Sequence, residues 1–130
     1  MTHRMRFIAL LLALAFAAPS LARAEEPQKV AAVISVKVTG DRQVYLGKLK
    51  TLQGISKRLG LPQARIWRET VGGESSDTIH IVTEYASLTA WAEGQGKLNA
   101  YPEGAKLIKD IDASGIRTVL GRSLMVDETP

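Results

Sequence analysis

The chain has 130 residues, no cysteine, and a formal net charge of +4 from 17 Lys and Arg against 13 Asp and Glu. The missing cysteine excludes disulfide staples, thiolate nucleophiles, Cys-ligated zinc, iron-sulfur ligation and a lipoprotein anchor. Much of the positive excess sits in Arg4, Arg6 and Arg23, ahead of a predicted cleavage site, so the remainder of the chain is close to neutral and shows neither a nucleic-acid footprint nor a polybasic membrane patch.

The first segment reads as an export signal. Arg4 and Arg6 form a positive head, Phe7 to Ala18 is apolar, and Pro19 and Ser20 precede Ala22-Arg23-Ala24. Small residues at the third and first positions before a cut suit signal peptidase, which places cleavage after Ala24, with Ala22 as the alternative. A spanning helix needs about 20 apolar residues, so the run is too short for a stable membrane anchor. The expectation is a signal peptide over residues 1–24, a single domain over 25–130, and a periplasmic or secreted product.

Beyond a short polar lead, Val30 to Val38 alternates as a strand does: Val30, Ala32, Ile34, Val36 and Val38 share one face, and Ala31, Val33, Ser35 and Lys37 the other. Thr39-Gly40-Asp41 supplies a turn and an N-cap. Tyr45, Leu49, Leu52, Ile55 and Leu59 then recur at helical spacing until Gly60 and Pro62 stop them. Ala64 to Val71 is a second strand, with Arg65, Trp67 and Glu69 opposite Ile66, Arg68 and Thr70. Thr78 to Tyr85 is a third, and the polar segment Gly72 to Asp77 between them predicts a hairpin loop. Ser87 caps a helix whose inner face is expected to hold Leu88, Trp91, Ala92, Gln95 and Leu98. Pro102 restarts it, with Ala105, Ile108 and Ile111 docking before Ser114-Gly115, and Arg117 to Val126 is a fourth strand.

This β-α-β-β-α-β order, with the second helix split near Pro102, predicts an α+β fold: a ferredoxin-like four-stranded antiparallel sheet with helices on one face. The residues Trp67-Arg68-Glu69-Thr70, Gly72-Gly73, Ile79 to Tyr85, Ser87-Leu88, Trp91-Ala92 and Lys97-Leu98 resemble the dimeric alpha-beta barrel superfamily. Within it the chain is similar to small exported bacterial proteins and, more distantly, to NIPSNAP-like and antibiotic-biosynthesis-monooxygenase-like domains. The resemblance implies a homodimer in which two sheets pack face to face around a cleft. In different relatives that cleft binds haem, quinones, aromatic substrates or nothing known.

On that architecture the strand face turned away from the helices carries Ser35, Lys37, His80, Val82 and Glu84, together with Trp67 or Arg68. A Trp beside a few polar groups is what a small-ligand pocket contains, and the same residues also suit a plain dimer interface. Ser35, Lys37, Trp67, His80 and Glu84 are therefore the candidate ligand-binding residues. His80 is the only histidine after residue 24. It suits a general base or an axial haem ligand, but Glu84, four residues along the same strand, lies roughly 14 Å away and cannot pair with it directly. A dyad partner must come from another strand or another subunit. Haem-degrading relatives combine Asn, Trp and His; here the single asparagine, Asn99, falls at a helix end, so their full site does not carry over.

The remaining motifs read as structure. Gly94-Gln95-Gly96 lies inside a helix and follows no phosphate-binding turn, so close helix packing is the expectation. Gly72-Gly73 with Ser75 and Ser76 is turn chemistry, and Asp110 and Asp112, two apart on a helix, do not face each other as metal ligands would. No metal or cofactor is expected. The favoured function is a non-catalytic exported dimer that binds a small apolar or aromatic ligand. The alternatives are a cofactor-independent monooxygenase or isomerase, and a haem-binding protein using His80.

Overall fold

The computed structural model describes residues 28–130; the expected signal peptide lies outside the described residues. The elements are β1 (Val30–Val38), α1 (Arg42–Arg58), β2 (Arg65–Val71), β3 (Glu74–Tyr85), α2 (Leu88–Ala100), α3 (Pro102–Ser114) and β4 (Arg117–Val126). The sheet order is β2-β3-β1-β4. Every neighbouring pair is antiparallel. This is the expected ferredoxin-like α+β architecture, with the second helix divided at Tyr101-Pro102.

Local chemistry fixes the helix ends. The Asp41 carboxylate accepts from the Val44 N–H at 3.1 Å and caps α1, while Lys57 and Arg58 complement the dipole in its last turn. Ser87 accepts from the Ala90 N–H at 3.0 Å and caps α2. Pro102 opens α3 at a position where a missing N–H costs nothing, and Gly115, left-handed at φ 68, ends it.

The helices cover one face of the sheet. Val36, Val38 and Ile79 from the strands meet Tyr45 and Leu49 of α1, Ile111 of α3 and Ile116 in a core where each is at most 8% exposed. That core occupies one end of the sheet. Next to it, across the middle of the sheet, Ile34, Ile66 and Ile81 are only partly buried, although they point to the same side, and beyond them Val30 and Tyr85 are buried again.

Three details depart from expectation. The six-residue hairpin loop shrinks to Gly72-Gly73, both with positive φ (61 and 83), and Glu74 to Asp77 join β3. Two residues with positive φ give the turn whose twist matches the flanking strands, so glycine alone closes the hairpin and the polar residues are free to pair. The extra length on β3 is absorbed by a bulge, since Arg68 pairs with Ile79 but Thr70 with Ser75. In α2, Leu88 is 54% exposed and Ala92 also faces outward. Gly94 is the buried residue there, because a Cβ on it would come within 3.1 Å of the Tyr85 ring.

Candidate functional site

Strand register places two four-residue rows back to back across the middle of the sheet. On the face without helices the row is Trp67 (β2), His80 (β3), Ser35 (β1) and Gly121 (β4). On the helix face it is Ile66, Ile81, Ile34 and Arg122. Successive side chains on a strand point to opposite faces, so each residue of one row is the sequence neighbour of its counterpart in the other.

The first row brings together three of the five residues expected from sequence. Ser35 Oγ lies 2.8 Å from His80 Nδ1. The other ring nitrogen, Nε2, is 3.9 Å from Glu69 Oε1, beyond hydrogen-bond reach but within electrostatic range. A proton on Nε2 faces the carboxylate and leaves Nδ1 to accept from the serine hydroxyl, and this is the tautomer the two neighbours favour. Trp67 is 57% exposed and, with Gln63, Arg65, Val82 and Glu84, lines an open recess of about 370 Å³. Glu84 thus shares the recess with Trp67, though not the cluster around His80. Lys37 stands opposite Thr78 and Thr118 beyond the row, and its side chain bonds to no described residue. Arg68, the other candidate for this face, pairs with Ile79 and belongs to the helix side.

Sequence reasoning does not single out Glu69. Its spacing of two from Trp67 assigns it to the same face, but the bulge that brings it beside His80 has no local sequence signature. The side chain that bonds to His80 comes from a neighbouring strand, and it is that of Ser35.

The second row floors a cavity of about 160 Å³ between sheet and helices. Leu52, Leu98 and Ile108 contribute to its walls, and Tyr85, Gln95 and Gln53 supply polar edges. Burial pushes the Tyr85 phenol above its ordinary pKa, against the opposing effect of its hydrogen bond with Gln95. Two arginines, Arg117 and Arg122, and no carboxylate line this space. Arg117, its side chain 7% exposed, donates to Tyr45 Oη at 3.0 Å and to Asp112 Oδ1 at 3.2 Å, and its guanidinium lies 5.9 Å from the Tyr45 ring centre. Burial by itself would lower the Arg117 pKa; Tyr45 and Asp112 more than offset it, and the net shift is upward. None of the five residues expected from sequence lines this cavity. The cavity arises from how far the helices stand off Ile34, Ile66 and Ile81, a tertiary distance with no signature in periodicity.

Among the described residues no group of three or more His, Cys, Asp or Glu could hold a metal ion. No helix among them is long and apolar enough to cross a membrane. Asp112 is engaged by Arg117, as a solvated charge rather than as half of a metal pair.

The element order, sheet order and one-sided helix layer define the chain as a ferredoxin-like α+β protein. Solved structures of similar fold include SnoaB, a cofactor-independent oxygenase from Streptomyces nogalater (11% identity, 79% of this chain and 96% of that one, TM-score 0.56). A NIPSNAP family protein from Agrobacterium tumefaciens gives 16% identity over 82% of this chain and 90% of that one, with TM-score 0.57. A dimeric ferredoxin-like protein from an uncultured marine organism gives 10% identity, 79% and 98% coverage, and TM-score 0.56. These are the relatives in fold that the sequence leads one to expect, and at such identities the likeness concerns the fold. No family model matches the chain, and no curated protein does.

Proposed function

We propose that the protein is an exported homodimer that binds a small apolar or aromatic molecule, without transforming it, in the cavity between sheet and helices. The observation that carries this reading is the cavity itself: a concave, largely aliphatic space beside a well-packed core, with a few polar groups at its edge, which is the usual form of a small-ligand site. Native mass spectrometry of the purified protein tests it. A co-purifying compound is expected, and Ile81→Phe, which fills the cavity, should abolish its retention. Retention in Ile81→Phe but loss in Trp67→Ala or His80→Ala would move the site to the open face, to the residues Ser35, Lys37, Trp67, His80 and Glu84.

The same face is where a second copy would dock. Trp67 and Met125 are 57% and 52% exposed, and Val33 and Val82 pair between their strands. Four strands of about nine residues present roughly 600 Å² in projection, near the lower end of what each partner of a stable dimer buries. The marine relative in fold is described as dimeric. For export, the expected result is a processed chain beginning at Glu25, read by N-terminal sequencing.

A second reading is enzymatic, and the observation behind it is the 2.8 Å contact between Ser35 and His80 with Glu69 beyond. It gives His80 a place as general base inside the dimer, in keeping with an oxygenase or isomerase that needs no cofactor. Turnover of a co-purifying compound in air, lost in His80→Ala, would replace the first reading by this one. Haem ligation by His80 would require an imidazole nitrogen turned away from both Ser35 and Glu69. A haemin titration without a Soret shift, or with one unchanged in His80→Ala, eliminates it.

A further inference from the structure

We infer that the ligand of the sheet-helix cavity is a small monocarboxylic acid with an elongated apolar body, its carboxylate held by Arg122. This rests on the reading of the cavity as a ligand site and adds the chemistry of what enters it. The central row of the cavity floor is polar at one end only, while Thr83, Tyr85 and Arg117 lie to either side of it. Ile66, Ile81 and Ile34 stand on three adjacent strands, and Arg122 continues the same row on the fourth. Strands lie about 4.8 Å apart, so the three isoleucines form an apolar track of about 10 Å with a guanidinium one strand spacing further on. An acid laid along this track meets aliphatic surface along its body and a fork of N–H donors at its head.

The charge distribution decides between an acid and a neutral or basic ligand. No Asp or Glu lines the cavity. Arg117 has its positive charge balanced by Asp112 and is held by Tyr45. Arg122 is exposed, and its side chain makes no hydrogen bond or ion pair with any described residue. An arginine left unpaired at the rim of an aliphatic space attracts carboxylates, which its planar fork binds through two parallel hydrogen bonds, and repels amines.

Calorimetric titration of the purified protein with octanoate, 1-octanol and octylamine tests the inference. Octanoate should bind up to about fivefold more tightly than octanol, since a charge-assisted pair at an exposed arginine outweighs a neutral hydrogen bond by a modest margin, and octylamine more weakly than either. Arg122→Gln, at an exposed position outside the packed core, should bring octanoate down to the level of octanol and leave octanol unchanged; Arg122→Lys should restore part of the difference. If octanol binds and octanoate is no tighter, or if the octanoate advantage survives in Arg122→Gln, the acid class is wrong while the cavity remains a ligand site. If none of the three binds, the cavity reading falls with it.

Discussion

At the scale of single residues, Arg117 is the one charge carried inside the helix-sheet layer among the described residues, and its two partners differ in worth. Tyr45 is fully buried, whereas the Asp112 side chain is 53% exposed. Removing the tyrosine hydroxyl leaves a largely buried, charged donor without its acceptor, where water has little access to replace it. Tyr45→Phe should therefore cost about 1–3 kcal/mol, against about 0–1 kcal/mol for Asp112→Ala, where water replaces the carboxylate. Urea unfolding of the two variants checks the order; an Asp112→Ala loss equal to that of Tyr45→Phe would contradict it. Tyr85 links stability to pH. Its phenol is raised by burial, so above about pH 10 the unfolded chain releases the proton before the native state does. The stability present below the ordinary tyrosine pKa is then lost as pH rises towards the folded value. Tyr85→Phe should flatten this decline above about pH 10, measured by denaturation at each pH.

At the scale of elements, two glycines two residues apart in α2 make a matched test. A Cβ on Gly94 would meet the Tyr85 ring at 3.1 Å and Leu61 at 3.4 Å, whereas one on Gly96 meets nothing within 4 Å. Gly96→Ala should stabilise by about 0.4–1 kcal/mol through the entropy of the unfolded chain. Gly94→Ala should lose that gain to the contact with Tyr85 and come out less stable than Gly96→Ala by thermal unfolding. In the β2-β3 hairpin, Gly73→Val forces a branched residue to φ 83 and should cost about 1–2 kcal/mol. These elements also show which information the chain carries locally. Alternation in Val30 to Val38 assigned Val36 to the core and Ser35 to the open face, because a strand's period leaves no other arrangement once one side is greasy. The same reasoning put His80 and Ile81 on opposite faces. It failed for Leu88, where helical spacing is shared by a helix's flank and its centre, and Gly94, the residue that docks, has no side chain to signal it. Glu69 and Arg122 escaped because each lies at or just past a bulge, at Arg68/Thr70 and Ser35/Val36, and a bulge moves pairing without changing the pattern of apolar residues.

At the scale of the whole molecule, the proposed function assigns separate tasks to the two faces of one sheet, and a single substitution distinguishes them. Val33 pairs with Val82 at the centre of the open face and plays no part in the core beneath the helices. In a monomer Val33→Glu would place a solvated carboxylate on a wet surface, at little cost. In a dimer closed over that face it would bury a charge without a partner, at a cost of several kcal/mol, enough to separate the subunits. Light scattering at micromolar concentration should accordingly give a dimer for the wild-type chain and a folded monomer for Val33→Glu, with an unchanged far-ultraviolet circular dichroism spectrum. Trp67 emission should shift to longer wavelength as the ring returns to water. A wild-type monomer under those conditions would remove the second copy from the open face. The cavity over Ile34, Ile66 and Ile81 lies on the other side of the same strands, so the Val33→Glu monomer should still retain the ligand proposed for it; if dissociation empties the cavity, the two faces are coupled through the sheet and the site is completed only in the dimer.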